Sequence, residues 1–194
     1  MRRGTVSALA AVLACGIALT GCSGKSDDKP TGGGATSTPS PSAAPAAVTT
    51  QAAVAKVTGQ LGAAGRVALA AAITKVVDGW LDGAYLGDFP RADYKTAFAG
   101  FTPGAAGKAQ RDLKLMTNAA ISDRITTAEA TKRSISLDVL SIKQRPVGVT
   151  ATVDLTFETT GALAGAQRIT GTVDLTPDRS GWQIFGFDIS RRQA

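Results

Sequence analysis

The stretch VGVTATVDLTFE, residues 147–158, alternates apolar and polar side chains along its whole length. Val147, Val149, Ala151, Val153, Leu155 and Phe157 fall on one side of an extended chain, and Thr150, Thr152, Asp154, Thr156 and Glu158 fall on the other. A period of two marks a strand with one face on a core and one in water. Ile169, Gly171, Val173 and Leu175 repeat the pattern against Thr170, Thr172 and Asp174. Ile135, Leu137 and Val139 begin a strand on the upstream side, and Trp182–Ile189 (WQIFGFDI) forms a last one. Turn-forming residues at Gln144 to Pro146, Gly161 to Gly165 and Asp178 to Gly181 supply the reversals. Four successive strands with short connections predict an antiparallel meander. The last strand is apolar on both sides, with Trp182 and Ile184 on one and Phe185, Phe187 and Ile189 on the other. Two readings account for it. Either its second face is covered by the early segment, a dimer partner or a ligand, or a bulge near Gly186 shifts the register.

Upstream of the strands the period changes. Leu69, Ile73, Val76, Val77, Trp80, Leu81 and Ala84 recur at three-to-four spacing and predict one long helix from about Ala64 to Leu86, ended by Gly87. Pro90 fits the first turn of a second, shorter helix through Phe98. Thr102 as cap and Pro103 at the first position begin a third, with Ala106, Ala109, Leu113 and Met116 on one side. Ala53–Leu61 reads as a short strand or an irregular lead-in, because Gly59 opposes a helix. Helices first and strands after predict an α+β domain, with the helices packed on one face of the sheet.

That domain occupies residues 51–194, and all ten aromatic residues of the chain lie at or after Trp80. Residues 23–50 hold Pro30, Pro39, Pro41 and Pro45, a Gly-Gly-Gly run and no aromatic side chain. Such a segment buries too little apolar surface to offset the entropy of ordering it, so it is expected to be a flexible tether. Its Thr/Ser/Pro cluster, residues 36–42, either accepts O-linked sugars or is a bare linker. Residues 1–22 carry Arg2 and Arg3 ahead of an uncharged run from Val6 to Leu19. That run is shorter than the roughly 20 apolar residues that span a bilayer, and reads as a signal peptide. Leu19, Thr20, Gly21 and Cys22 resemble a bacterial lipobox. The resemblance implies cleavage before Cys22 and a diacylglyceryl thioether on it, which would anchor the protein to the outer face of the cell membrane.

Composition narrows the chemistry. The chain of 194 residues has no histidine and two cysteines. Without imidazole there is no Ser-His-Asp or Cys-His nucleophile and no His-ligated zinc. Cys15 would leave with the signal and Cys22 would be acylated, so the mature chain keeps no thiol for a disulfide. Loss of Arg2 and Arg3 leaves 19 basic against 15 acidic residues, a net charge of +4. That excess suits a surface near anionic lipids or wall polymers. No aromatic-basic stripe points to nucleic acid. No cluster has metal-ligand spacing, and no cofactor is expected.

The order of elements resembles the NTF2-like (cystatin-related) fold, a cone of three helices in a curved sheet of four to six strands. GWLDGAYLGDFPRADYKTAFAGF, residues 79–101, and GWQIFGFDISR, residues 181–191, also resemble a group of actinobacterial secreted and lipid-anchored proteins without assigned activity. Some NTF2-like members are isomerases or dehydratases with Asp, Tyr or His inside the cone, and many have no catalysis. None of their catalytic positions aligns with this chain, so the resemblance implies a pocket without implying its chemistry.

Candidate pocket residues are Trp80, Tyr85, Tyr94 and Asp188. Tyr85, Asp88 and Tyr94 cluster at a helix-to-helix turn; they either line a pocket mouth or pack and cap locally. Asp78 and Asp82 share one face of the long helix and are read as a solvated flank near Lys75 rather than an acid–base pair. Asp188, set between Phe187 and Ile189, is expected to be buried and paired with Arg191 or Arg168. Gly104 to Lys108 invites a phosphate-loop reading, which fails because Thr102 stands where the first glycine belongs and Ala109 where a magnesium-binding hydroxyl belongs. The expected function is a non-catalytic accessory or binding module for an envelope protein or wall polymer. Two alternatives stand beside it: a carrier or sensor of a small apolar ligand held in the cone, and a pocket enzyme using carboxylates and tyrosines.

Overall fold

The structure is a computed structural model and describes residues 48–194. The expected signal peptide, the lipobox residues Leu19, Thr20, Gly21 and Cys22, and nearly all of the tether lie outside the described residues. Among the described residues, no helix is long and apolar enough to cross a membrane.

The fold is α+β. In chain order come β1 (Gln51–Thr58), α1 (Ala63–Tyr85), the two-residue β2 (Gly87–Asp88), a 3-10 turn at Lys95–Phe98, α2 (Pro103–Arg111), the one-turn α3 (Leu113–Met116) and a 3-10 turn at Ser122–Arg124. Four long strands follow: β3 (Thr127–Ile142), β4 (Arg145–Thr159), β5 (Gly165–Asp178) and β6 (Gly181–Gln193). The sheet runs β1-β3-β4-β5-β6, with β2 attached to β3. The antiparallel meander of β3 to β6 is as expected. The sheet as a whole is mixed, because β1 runs parallel to β3 from Gln51 opposite Ser134 to Thr58 opposite Leu140. A parallel neighbour needs a crossover, and the helices between β1 and β3 provide it.

Alternation sets which side of the sheet is buried. Leu137, Ala151, Leu155, Phe157, Ile169, Val173 and Leu175 face the helices and are fully buried, whereas Thr152, Asp138 and Glu158 face out. α1 lies on this inner face and buries Leu69, Ile73, Val77, Trp80, Leu81, Ala84 and Tyr85. Each such aliphatic side chain contributes about 1.5–3 kcal/mol relative to exposure, so α1 is held by packing more than by propensity. Its close partner is the 3-10 turn, where a methyl on Gly83 would sit 2.8 Å from the Ala97 Cα.

The two-sided last strand resolves into a bulge. Asp174 pairs with Gly186 but the next residue, Leu175, pairs with Ile184, leaving Phe185 as the extra residue. Past the bulge, Phe187 and Ile189 rejoin the face of Trp182 and Ile184, and the Phe187 ring meets Phe101 edge-on at 6.3 Å between centroids. Phe185 is left on the outer face, 53% exposed. On β5, Gly171 adopts φ 149°, and a methyl there would collide with the Asp188 carbonyl, so the close approach of β5 and β6 requires glycine.

Two helix expectations need correcting. Only Lys95–Phe98 coils where a helix from Pro90 is expected. The preceding backbone is used elsewhere: the Phe89 N–H donates to the Thr126 carbonyl, the Arg91 N–H to the Ser122 hydroxyl, and the Lys95 N–H to the Asp93 carboxylate. Thr102 does cap α2, its hydroxyl accepting from the Ala105 N–H at 3.4 Å. The helix then breaks at Asp112 rather than continuing to Met116, and α3 is a separate turn.

Candidate functional site

Trp80 and Tyr85 come from the last two turns of α1 and point into the centre of the inner face. Their rings stand edge to face with centroids 5.8 Å apart, and Tyr85 also lies 6.2 Å from Phe157 on β4. Both polar tips are satisfied by the backbone around α3: the Trp80 Nε1–H donates to the Met116 carbonyl at 3.3 Å, and the Tyr85 hydroxyl to the Leu115 carbonyl at 2.7 Å. Burial pushes the Tyr85 phenol far above its ordinary range, with Arg191 opposing, so the phenol stays protonated.

Arg191, named in the sequence only as a partner for Asp188, is the cation that faces Tyr85 and Tyr94. It projects inward from β6, half-buried, and donates at 3.4 Å to both the Thr117 carbonyl and the Gln167 amide oxygen. Burial lowers its pKa, while Tyr85 and Tyr94 pull it back up. Tyr94 is buried and its hydroxyl has no hydrogen-bond partner; the Asn118 Oδ1 is in the same condition. Tyr94 also forms part of the wall of a surface depression of about 320 Å³, together with Ala92, Lys95, Phe98 and Leu113. Three of the four expected pocket residues, Trp80, Tyr85 and Tyr94, therefore share the helical side of the sheet.

Asp188 is not among them. It sits on the outer face of β6 opposite Thr172, exposed to solvent. The expected burial and pairing with Arg191 or Arg168 are overturned. Arg191 points to the other side of the sheet, and Arg168 donates to Asp154 at 2.8 and 3.0 Å. The bulge at Phe185 has the decisive effect, because it reverses which residues after it face the core. Asp154 also accepts from Lys132 at 2.6 Å. The Arg168 hydrogen bonds, more than those of Lys132, hold the Asp154 carboxyl below the usual carboxylate range.

Asp78 and Asp82 do not form an acid–base pair, nor a free flank near Lys75. They clamp Arg133 of β3, whose side chain is only 10% exposed: Asp82 bonds one guanidinium nitrogen, and Asp78 lies 3.9 Å from the other. Asp78 also accepts from the Thr50 hydroxyl at 2.7 Å. The pair ties α1 to the sheet. Asp88 lies in β2 and its carbonyl accepts from Arg91. The Arg91 guanidinium further donates to the carbonyls of Asp82, Gly83 and Leu86, satisfying the open C-terminus of α1 and lying 4.7 Å over the Phe89 ring. The cluster at the helix-to-helix turn is thus one of capping and packing. Among the described residues no group of His, Cys, Asp or Glu is arranged to hold a metal ion.

No family model, no curated protein and no solved structure matches the chain.

Proposed function

We propose that this chain is a cell-surface lipoprotein whose NTF2-like cone serves as a non-catalytic accessory or binding module for an envelope component, held at the outer face of the membrane by lipidated Cys22. The observation that carries the reading is how apolar surface is distributed. The inner face of the sheet is filled by the protein's own side chains, Trp80, Tyr85, Phe157 and Leu137 among them, all fully buried. Exposed large apolar side chains gather instead on the outer face, at Leu140, Ile142, Val147 and Phe185. A carrier keeps its apolar surface inside a cavity, whereas a module presents it to a partner. The lipobox at Leu19 to Cys22 and the tether after it support the placement at a membrane.

A small-ligand reading has one observation in its favour, the buried Tyr94 hydroxyl without a partner beside a surface depression. The ligand of such a site would be a small polar molecule rather than the apolar one first expected. The anchoring half of the proposal is tested by fractionating cells that express Cys22→Ala. The variant is expected in the medium or as an uncleaved precursor. A processed variant that still fractionates with membranes contradicts the anchor.

A further inference from the structure

Of the five large apolar side chains exposed among the described residues, Leu140 (48% exposed), Ile142 (57%) and Val147 (37%) flank the β3–β4 turn, and Phe185 (53%) on β6 shares a depression with Leu140. Leu140 and Phe185 flank a shallow depression of about 200 Å³ over Gly148, where a side chain would meet nothing within 4 Å. Two local irregularities bring them out. Phe185 is the extra residue of the β6 bulge, and the register slip between Leu140 and Ser141 makes Val147 the extra residue of β4.

The turn beyond them is unusual in a way that points to use. β3 and β4 are joined by Lys143 and Gln144 alone, with Ile142 paired to Arg145. Both turn residues have positive φ, 49° and 61°. That backbone favours Asn-Gly, and long side chains hold it only at a cost in strain. The cost retains two polar side chains at the tip, one of them cationic, next to exposed Arg145. Asp138 and Asp174 line the depression behind, so the cations are confined to the turn itself. An apolar tip with cations on it is complementary to an anionic lipid surface, where hydrocarbon enters the interface and the cations meet phosphate.

Reach is compatible with this. β1 starts opposite Ser134, halfway along β3, and runs toward the β3–β4 turn, so the chain enters the sheet at mid-strand. The eight steps from Ser134 to Ile142 cover about 26 Å at roughly 3.3 Å each. Residues 23–50 could span on the order of 85 Å if extended, enough for the patch to meet the membrane in which Cys22 is held.

We propose that the β3–β4 turn and the Leu140, Ile142, Val147 and Phe185 patch beside it form a docking surface for anionic membrane lipid. This rests on the reading of the chain as a membrane-tethered lipoprotein and names the component it engages. The test uses residues 23–194 without lipid, which retain every buried core side chain from Leu61 to Ile189. Sedimentation with phosphatidylglycerol-containing vesicles is expected to be at least tenfold stronger than with phosphatidylcholine vesicles and to weaken with added salt. Ile142→Ser with Phe185→Ser should abolish it, while Val67→Ser, an exposed apolar site on α1, should leave it unchanged. Lys143→Asn with Gln144→Gly should weaken binding several-fold while raising the melting temperature, which separates docking from folding. Equal binding to both vesicles, binding indifferent to Ile142 and Phe185, or a dimer sealed by this patch in solution would each overturn the proposal. Because residues 23–194 lack Cys22, a negative result here leaves the anchor itself standing, and loss of the anchor in cells leaves vesicle binding standing.

Discussion

Tyr85 concentrates several roles in one side chain. Its ring fills the centre of the inner face, its hydroxyl closes a hydrogen bond to the Leu115 carbonyl, and its burial keeps it neutral. A phenol whose folded pKa lies above its unfolded value of about 10 contributes stability that is complete below pH 10 and falls as the pH rises beyond it. The protein is therefore expected to lose stability steeply above about pH 10. In Tyr85→Phe that alkaline slope should flatten, at a cost of about 1 kcal/mol at neutral pH for the lost hydrogen bond; denaturant titrations at pH 7 and pH 10.5 measure both. Asp188 makes the opposite case. Exposed on the outer face, it should tolerate Asp188→Asn within about 0.5 kcal/mol, and a melting temperature lowered by several degrees would mean that it has a partner after all. Its misreading as buried shows what one residue of slippage does. With a strict period of two, Asp188 and Phe187 change faces according to whether Phe185 is counted in the ladder, and nothing in WQIFGFDI fixes that count.

Elements announced by a long period were readable: α1 by its seven recurring apolar positions, and β3 to β6 by alternation interrupted at turns. Those that depend on distant partners were legible only in part. The residues of β1 read as a short strand or an irregular lead-in, and the parallel edge of β3, about 80 residues later, makes them a strand. From Pro90 the chain coils only at Lys95–Phe98, with the Phe89 and Arg91 N–H groups held by Thr126 and Ser122 across the fold. Side-chain ties between elements were equally hidden. Asp78 and Asp82 have the right spacing for a shared face, but the sequence does not reveal that Arg133 comes to lie between them. Arg133→Met should cost about 1–2 kcal/mol, less than a fully buried pair because both carboxylates keep some solvent. The loss is expected to come with earlier hydrogen exchange in α1 than in β4 and β5. Uniform loss of protection across the sheet would speak against Arg133 as the tie between α1 and β3.

The whole molecule divides its surface by chemistry. The inner face is closed by α1 and the short helical turns. The outer face carries threonines, serines and the Asp154 ion network over most of its extent, then turns apolar and cationic at the β3–β4 end. Nothing in the chain supplies imidazole; Asp78 and Asp82 serve as ties to Arg133, and Asp188 faces solvent. Within the candidate site, aromatic positions were legible because large rings seek the core. Arg191 was not, since a lone arginine in a terminal strand carries no pattern until the fold shows what it faces. In the proposed lipoprotein, residues 23–50 would give reach and Cys22 attachment. The intact mass of the protein extracted from its own membranes puts that arrangement to the test. A chain running from Cys22 to Ala194 and heavier by a diacylglyceryl group is what the lipoprotein reading predicts; a mass that retains residues 1–21, or that begins at Cys22 without lipid, would contradict it.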